Sequence, residues 1–567
     1  MATNDSIATN NPYYAWHVQD NWRLSRKLTL NLGLRFEYEL GATERYNRVM
    51  GNFDYTAKLP ISEAAQAAYA AKPIPELPAS QFLIKGGSLY PGVGGTPRKL
   101  WKNSLQVLPR VGAAYQITPN MVVRAGYGLY YDTLNAMNQS FDRSFFDRTT
   151  SGIMTNDFGM NWLLGDHKNG VSPLKDPFQV RADGTRFDPP LRDALGLMAR
   201  VGRGTTDYNF DRKHARQQRW RIGIQRQFGS SLLLDAAYAG SYSDNVMVSQ
   251  TASALPQQYW ADGLVRNDAI ATNMNANVTN PFALANFAAL QAGNPVLYND
   301  MRTNSFFTSG TIRKERLLRP FPQMNGLNQQ VPLGEVKTHE MILSAEKRFA
   351  AGFNFSVNYT RLSLQTADFF YNEFDAAPSW RPGQNGRPQV FNLLATYELP
   401  FGKGKRFATS GLPDYVLGGW QLSIIHQWWP GQLIDWGNLF YYGNLADIPS
   451  GRRDIEQWFN TPNFERDARK MPAAYHRRVF PTRVDGARAD STNDWSGNVQ
   501  RRFKIRESLS MLFRFEVYNI QNRSQFWMPN TSPTSTDFGR VTSQPSHHSG
   551  QGGSVNRWIQ LFARVEF

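Results

Sequence analysis

Every second position of the final segment, Arg557 to Phe567, carries an apolar side chain. Successive side chains of a β-strand point to opposite faces, and about 9–11 residues of a tilted strand cross a bilayer. The segment is therefore predicted to be a strand with one face suited to lipid and the other to water. The apolar register holds Ile559, Leu561, Ala563, Val565 and Phe567, and the other holds Gln560, Arg564 and Glu566.

The same alternation recurs along the chain, mostly in pairs of segments joined by a few turn residues. Such pairs are typical of β-hairpins, and about thirteen strands are predicted in total. A soluble sandwich strand usually has about 5–6 residues, so strands of this length favour a membrane barrel. The alternating segments are Tyr14–Leu24, Leu28–Tyr38, Val111–Ile117, Met121–Tyr131, Trp220–Phe228, Leu232–Tyr238, Met341–Phe349, Phe353–Tyr359, Phe391–Leu399, Trp420–Trp428, Trp495–Phe503, Leu509–Val517 and Arg557–Phe567.

The connections between these segments are of two kinds, short turns and long stretches without a period. The stretch from about residue 40 to 108 is rich in Gly, Pro and Ala, with a short helix predicted near Ser62–Ala71. Structureless loops of this length are uncommon inside compact soluble domains but are expected outside a membrane barrel. We therefore predict an all-β fold, the antiparallel transmembrane portion of a β-barrel, with short periplasmic turns and long extracellular loops.

Three strands carry a cation in the apolar register shortly before their turn. A charge facing lipid costs about 2–4 kcal/mol at the bilayer midplane but only about 0–1 near the headgroups. The common distance from the turn therefore indicates a headgroup girdle at the turn side. In each case an aromatic residue follows in the same register: Arg226 and Phe228, Lys347 and Phe349, Arg501 and Phe503.

The composition excludes several other classes of protein. No run of about 18 apolar residues occurs, so no transmembrane helix is predicted. The formal net charge of +16 is spread among acidic residues without a block of like charges, which argues against nucleic-acid binding. There is no cysteine, so disulfides and thiolate chemistry are excluded.

The start of the chain lacks the basic and apolar regions of a signal peptide. In addition, the first and last of thirteen antiparallel strands run in the same direction, so they cannot close a simple antiparallel barrel on each other. We therefore expect residues 1–12 to be a disordered or truncated start. Residues 13–567 are expected to be the C-terminal part of a larger barrel.

Several phrases resemble TonB-dependent outer-membrane receptors of the Oar-like kind, from about residue 12 to the C-terminus. The matching phrases are Tyr14-Ala-Trp-His-Val-Gln-Asp-Asn-Trp22, Leu28-Thr-Leu-Asn-Leu-Gly-Leu-Arg35, Leu108-Pro-Arg-Val-Gly112, Tyr397-Glu-Leu-Pro-Phe-Gly-Lys-Gly404, Gly418-Gly-Trp-Gln-Leu-Ser423, Phe538-Gly-Arg-Val541 and the terminal Phe567.

The resemblance implies a barrel of 22 strands around an N-terminal plug, of which these thirteen would be the last. It implies a location in the outer membrane of a Gram-negative-type bacterium and uptake of a large, scarce solute such as a siderophore or glycan. The implied partners are outer-membrane lipid and lipopolysaccharide, the barrel assembly machinery, and the TonB complex acting through the plug. The last strand, with Ile559, Leu561, Ala563, Val565 and Phe567, would be the membrane-insertion signal.

The polar register supplies the candidate functional residues. By the same resemblance such a wall faces a plug, and its charges would contact the plug or guide a ligand. A solvated, ion-paired inner wall without a specific ligand is the alternative. The residues are Arg35, Glu37, Arg124, Asp235, Glu346, Arg348, Arg514, Glu516, Arg564 and Glu566.

No catalytic, cofactor or metal site is predicted. The adjacent pair His547-His548 has no third ligand at suitable spacing, and Asp537-Phe538-Gly539 lacks every other kinase element. Two further hypotheses remain open: a non-transporting barrel whose loops serve adhesion or surface interaction, and an enzyme carried on a barrel.

Overall fold

The computed structural model describes residues 2–134, 141–152, 155–161, 178, 180–182, 184–407, 410–449, 453–506, 508–544 and 556–567. Its main element is a 15-stranded sheet, in which thirteen strands follow one another as an antiparallel meander in chain order. These are β1 Tyr13–Arg23, β2 Leu28–Glu39, β3 Ser104–Thr118, β4 Met121–Tyr131, β5 Arg216–Phe228, β6 Leu232–Thr251, β7 Leu327–Ala350, β8 Phe353–Phe369, β9 Gln389–Glu398, β10 Trp420–Trp429, β11 Thr492–Arg506, β12 Leu509–Tyr518 and β13 Trp558–Glu566.

The predicted strands and their order are confirmed. Two short strands extend the sheet beyond the meander: Thr205–Asp207 pairs in parallel with β7, and Ser379–Pro382 pairs with β8. Strand pairing continues without interruption from β1 to β13. These first and last strands, β1 and β13, are the edges of the sheet, and they do not pair with each other in the described part of the chain. The sheet is therefore open, and nearly every residue of both edge strands is exposed.

Neither face of the sheet is covered by a second sheet. Leu30, Leu34 and Phe513, in the apolar register, are only half-buried, and Leu561 is 67% exposed. A soluble sandwich or barrel would bury these side chains in a core. Within the described ranges most of the apolar face lacks a protein partner, as expected for a surface that contacts lipid; the short helix Leu412–Leu417 covers it only at one end.

The two ends of the sheet differ. Short turns such as Pro119-Asn120 and Ala351-Gly352 join the strands at one end, which we call the turn rim. Cations of the apolar register lie at this rim over aromatic rings: Arg226 is 4.6 Å from the ring centre of Phe228, and Arg501 is 4.4 Å from that of Phe503.

Lys347 does not contact the aromatic residue that follows it in its own register, Phe349. Its amine lies 3.8 Å from the ring centre of Phe353 rather than over Phe349, which is 50% exposed. Phe353 begins the return strand, so the tight turn brings it close to Lys347. The amine also donates a hydrogen bond of 2.7 Å to the carbonyl of Ala350.

Long connections meet at the opposite end, the loop rim, and contain most of the small elements. The helices are Ser62–Ala70, Asp268–Asn275, Leu290–Gly293, Pro295–Arg302, Ser305–Thr308, Lys314–Leu317 and, in the β9–β10 connection at the turn rim, Leu412–Leu417; the 3-10 turns are Ala79–Gln81, Gly196–Met198, Gln257–Tyr259, Leu284–Phe287 and Leu445–Asp447. The remaining strands are Ala2–Asn4, Thr9–Asn10, Thr43–Glu44, Phe53–Asp54, Gly87–Ser88, Asp147–Thr149, Asn277–Thr279, Thr311–Arg313, Leu433–Asp435 and Arg483–Arg488.

The N-terminal segment, for which the sequence predicts disorder or a truncated start, forms two of these short strands. Ala2–Asn4 pairs with Asp147–Thr149, and Thr9–Asn10 pairs with Thr43–Glu44. The predicted helix near Ser62–Ala71 is confirmed as Ser62–Ala70. No helix in the described ranges combines the length and apolar character needed to cross a membrane.

The hydrophobic cores of the molecule lie in the long connections rather than in the sheet. The largest core, here called the loop cap, joins the connections that follow β2, β4 and β6, and it contains Ile61, Phe282 and Met301 with 0% exposure. A second core joins the β10–β11 and β12–β13 connections around Trp436 and Phe464. The sheet therefore has two accessible faces and a folded assembly at its loop rim.

Candidate functional site

The predicted charged residues all lie in the polar register of the sheet, on the face opposite the apolar one. They form two groups, one on β2–β7 and one on β12–β13, because their strands lie in different parts of the meander. Arg124 and Asp235 belong to the first group and occupy neighbouring rows of β4 and β6. The structure therefore does not bring all these residues into one site.

Most of these charges have partners on the same wall. Arg35 pairs with Glu37 at 2.6 Å, and Arg124 donates a 2.7 Å hydrogen bond to Gln225. Pairs that remain accessible to water contribute little stability, about 0–1 kcal/mol each. The other contacts are Asp235 with Arg221 at 3.6 Å, Arg514 with Glu516 at 3.2 Å, and Arg564 with Glu566 at 3.5 Å; Glu566 also contacts Arg502.

Glu346 and Arg348 form no ion pair within the described ranges, and the partner of Arg124 there, Gln225, is neutral. The solvated, ion-paired wall therefore accounts for most of the predicted residues but not for all of them.

The polar face contains a trough of about 700 Å³ that crosses β2 to β7. Arg110, Arg219 and Arg221 line it, together with Tyr130 and Glu340. Three guanidinium groups and the Glu340 carboxylate line it, and Arg221 also lies 3.6 Å from Asp235, so the trough carries a net positive charge.

Glycines make this trough possible. Gly112 and Gly126 are cross-strand partners in the polar register, and Gly128 lies directly between Arg110 on β3 and Arg219 on β5. A Cβ at Gly128 would come within 2.9 Å of the Tyr130 ring, so the ring lies over the glycine. Glycine inside a strand often marks such a close approach.

Tyr130 is flanked by two cations. The guanidinium carbon of Arg110 is 4.7 Å from the ring centre, and that of Arg219 is 5.1 Å away. Each such contact is worth about 0.5–1 kcal/mol at an exposed site. We call this group the Arg–Tyr–Arg stack. It fixes two arginines without neutralising them.

The stack leaves guanidinium donors available for a ligand. Arg110 makes no ion pair in the part of the chain that the structure describes, and Arg219 shares its Nε–H only with the neutral side chain of Gln217. Guanidinium groups bind carboxylate and phosphate oxygens with paired hydrogen bonds. The trough can therefore bind a planar or anionic group.

Sequence reasoning missed the members of the stack. Arg110 lies within a matching phrase but was not singled out, and Tyr130 lies beside the apolar-register Tyr131. The available signal was the run of glycines in the polar register of β3 and β4, at Gly112, Gly126 and Gly128. Glycines in a row of charged positions indicate a recess in the wall.

Ion pairs at the loop rim connect separate connections. Arg319 contacts Glu373 at 2.6 Å and Glu315 at 2.6 Å, and thereby joins the β6–β7 and β8–β9 connections. Burial lowers the pKa of Arg319, but the hydrogen bonds to these carboxylates outweigh it and leave the pKa raised. Burial, together with the neighbouring Asp207, raises the pKa of Tyr55, whose hydroxyl donates a 2.8 Å hydrogen bond to that carboxylate.

Among the described residues, no three His, Asp or Glu side chains gather at ligand distances. The pair His547-His548 lies outside the described residues. Phe538 of the Asp537-Phe538-Gly539 sequence packs 5.1 Å from the ring centre of Phe464 in a loop core, which gives it a structural role.

Comparison with solved structures finds large outer-membrane receptors. The siderophore receptor PiuA from Acinetobacter baumannii is 10% identical with a TM-score of 0.39, and the match covers 99% of this chain and 44% of that one. The ferric-catecholate import receptor Fiu from E. coli is 10% identical with a TM-score of 0.40, covering 99% and 45%. The ferric yersiniabactin uptake receptor FyuA from Yersinia pestis is 8% identical with a TM-score of 0.38, covering 99% and 46%.

This chain thus spans less than half the length of these receptors. A search of curated protein sequences found no match. The family profile of the outer membrane beta barrel domain, in contrast, matches residues 2–560. Together with the two-faced antiparallel sheet, this match shows that the chain belongs to the outer membrane beta-barrel domain family and is a protein of the Gram-negative outer membrane.

Proposed function

We propose that this chain is the barrel part of a TonB-dependent receptor of the Oar-like kind, which takes up a large, scarce solute through a plugged barrel. The observation that carries the proposal is the trough on the polar face with its Arg–Tyr–Arg stack, in which Arg110 and Arg219 form no ion pair within the described ranges. Arginines without an ion-pair partner add no stability to the barrel itself, so their presence on its polar face favours a role in binding.

The open edges of the sheet support a larger barrel. Unpaired backbone groups cannot be left in lipid, so both β1 and β13 require further strands. Because the two edges run in the same direction, an odd number of strands must join them in an antiparallel barrel. Nine strands would satisfy this requirement and give the 22 strands of the proposed receptor type. Residues 13–567 are then the C-terminal barrel region, and residues 1–12 precede it.

The proposed mechanism follows from the charge of the wall. The solute binds at the loop rim, and the plug is displaced when the TonB complex, powered by the inner membrane, engages it. The trough then offers guanidinium donors along the freed passage. The terminal strand acts as the signal for the barrel assembly machinery, and lipopolysaccharide and phospholipid surround the apolar face.

Uptake by living cells tests the proposal. Cells that produce the protein are grown with and without a functional TonB complex, and solutes depleted from the medium are identified by mass spectrometry. Depletion should require both the protein and the complex. It should fall in Arg110→Gln/Arg219→Gln but persist in Arg469→Gln, since Arg469 is an exposed loop residue paired with Asp467. Depletion that is independent of the complex would refute active transport.

A second candidate function is supported by the loop cap. Extracellular loops packed around fully buried side chains such as Phe282 form a rigid surface, which also suits adhesion without transport. In that case, cells would bind a surface or partner equally well with and without the TonB complex, and no solute would be depleted. The same pair of strains therefore separates the two functions.

A further inference from the structure

The connection between β9 and β10 has an unusual position. Its helix Leu412–Leu417 lies at the turn rim and rests on residues of the apolar register. The ring centre of Tyr415 is 6.0 Å from that of Phe503, and Trp420 donates a 2.9 Å hydrogen bond from its indole nitrogen to the carbonyl of Val416. The helix therefore lies on the side of the sheet that faces lipid.

Arg501, on β11, forms a hydrogen bond that holds the helix against the sheet. It is 8% exposed and donates a 2.9 Å hydrogen bond from Nη1 to the carbonyl of Val416. Its guanidinium group also lies near the rings of Tyr415 and Trp420, at 5.7 and 5.9 Å. Because this cation is buried beneath the helix and bonded to it, the helix has a fixed place at the rim.

The outward surface of the helix is apolar and lacks a protein partner among the described residues. Leu412 is 75% exposed, Val416 54% and Leu417 47%. Three neighbouring exposed apolar side chains on so short a helix are unfavourable in water. They suit the boundary between headgroups and acyl chains, where aromatic and aliphatic side chains of interfacial helices are found.

Basic residues accompany this apolar surface. The preceding loop contains Lys403, Lys405 and Arg406, all exposed. Lys405 is compensated by Glu398, with which it forms a 2.5 Å ion pair. Lys403 and Arg406 form no ion pair in the described part of the chain.

The loop and helix are packed together. A Cβ at Gly402 would come within 3.0 Å of Gly418 Cα, so the loop and helix approach closely through two glycines. The backbone N–H of Lys403 donates a 2.8 Å hydrogen bond to Asp414, which turns that carboxylate toward the loop. The two unpaired cations therefore stay beside the apolar surface.

We propose that residues 402–407 and 411–419 form a membrane-interface anchor that binds anionic phospholipid headgroups at the turn rim. The apolar side chains enter the acyl boundary, while Lys403 and Arg406 contact the phosphate groups. Basic residues near a membrane surface each contribute about 1 kcal/mol of attraction to anionic lipid. Because the helix packs on lipid-facing residues, Lys403 and Arg406 beside it lie at that surface. This inference depends on the membrane location and not on transport.

Local fluorescence quenching tests the proposal. The chain has no cysteine, so Leu412→Cys provides a single site for a bimane label. In vesicles, lipids brominated on the upper acyl chain should quench the fluorescence of this label. Brominated phosphatidylglycerol should reach the same quenching at a lower mole fraction than brominated phosphatidylcholine. Val265→Cys, at a loop residue that is 77% exposed, is the matched control and should remain unquenched.

The charge contribution is tested in the same labelled protein. Lys403→Gln/Arg406→Gln should reduce the preference for phosphatidylglycerol by roughly 30-fold, the equivalent of about 1 kcal/mol for each charge. Lys72→Gln/Lys85→Gln, at exposed loop residues, should leave the preference unchanged. Absence of quenching at position 412, or an unchanged preference in Lys403→Gln/Arg406→Gln, would overturn the anchor. Heat-modified migration on gels confirms that each variant is assembled.

Discussion

Leu343 offers the most direct test of the lipid-facing register. In β7 it lies midway between Lys347, at the turn rim, and His339, whose ring accepts or donates a 2.7 Å hydrogen bond with Tyr238 toward the loop rim. Four residues of strand span about 13 Å, or about 10 Å along the membrane normal when the strand is tilted by 35–45°. Leu343 is therefore expected near the bilayer midplane.

Leu343→Arg should cost about 2–4 kcal/mol of unfolding free energy, which lowers the folding equilibrium constant by roughly 30- to 1000-fold. Ser344→Arg is the matched control, because Ser344 is the next residue but lies in the polar register opposite Asp235. An arginine there gains a nearby carboxylate and water, so its cost should be about 0–1 kcal/mol.

Urea titration of the protein assembled in phospholipid vesicles measures both costs. Arginine at Met341 or Ala345, each about 5 Å closer to one rim, should give intermediate values, since the cost falls toward the headgroups. Equal destabilisation by Leu343→Arg and Ser344→Arg, or a cost below about 1 kcal/mol at Leu343, would refute the assignment of the two faces.

Three further predictions concern the terminal strand, the loop cap and the trough. Deletion of Phe567 should reduce the amount of protein in the isolated outer membrane, and unchanged assembly would contradict the proposed insertion signal. Burial raises the pKa of Glu76, but hydrogen bonds from Lys314 and a neighbouring asparagine outweigh it and leave the pKa below 4.5. The ionised Glu76 carboxylate therefore stabilises the loop cap fully above pH 4.5, and this stabilisation is lost as the pH falls further. Limited proteolysis should therefore show the loop cap loosening only in acid, and Glu76→Gln should remove that dependence. Tyr130→Ala should cost about 1–2 kcal/mol in urea titration by removing two cation–π contacts, whereas Tyr130→Phe, which keeps the ring, should be nearly neutral.

The sheet was predictable because strand periodicity is a local property. Each residue of β2 or β12 takes one face or the other according to its neighbours in sequence, and lipid on one side makes that choice strict. Turn residues such as Gly229 and Gly352, both with positive φ, mark where the direction reverses. Strand order then follows, because successive antiparallel strands are joined by short turns.

The loop cap was not predictable in the same way. Its contacts join residues far apart in the chain, such as Phe82 with Phe282 and Phe53 with Phe321, at ring-centre distances of 6.2 and 5.6 Å. No periodic pattern precedes these contacts, since the backbone there is irregular. The helix Leu412–Leu417 was missed because flanking glycines and Pro413 are typical of a loop.

The candidate site was predictable only in part. The register identified which charges share the polar face, but the trough depends on Tyr130 lying over Gly128 between two arginines. That arrangement depends on the orientation of the Tyr130 side chain and on the register between β3, β4 and β5. The sequence of one strand reveals neither. Likewise, the contact of Lys347 with Phe353 depends on the geometry of the turn between them.

The loop cap also determines how other molecules can recognise this protein at the cell surface. Its core combines Ile61, Phe282 and residues from the β4–β5 connection, so no single connection holds the folded arrangement by itself. Antibodies raised against a peptide from one connection would meet the wrong conformation, whereas those raised against intact cells would recognise discontinuous epitopes. A useful antigen must therefore present the connections on the complete sheet.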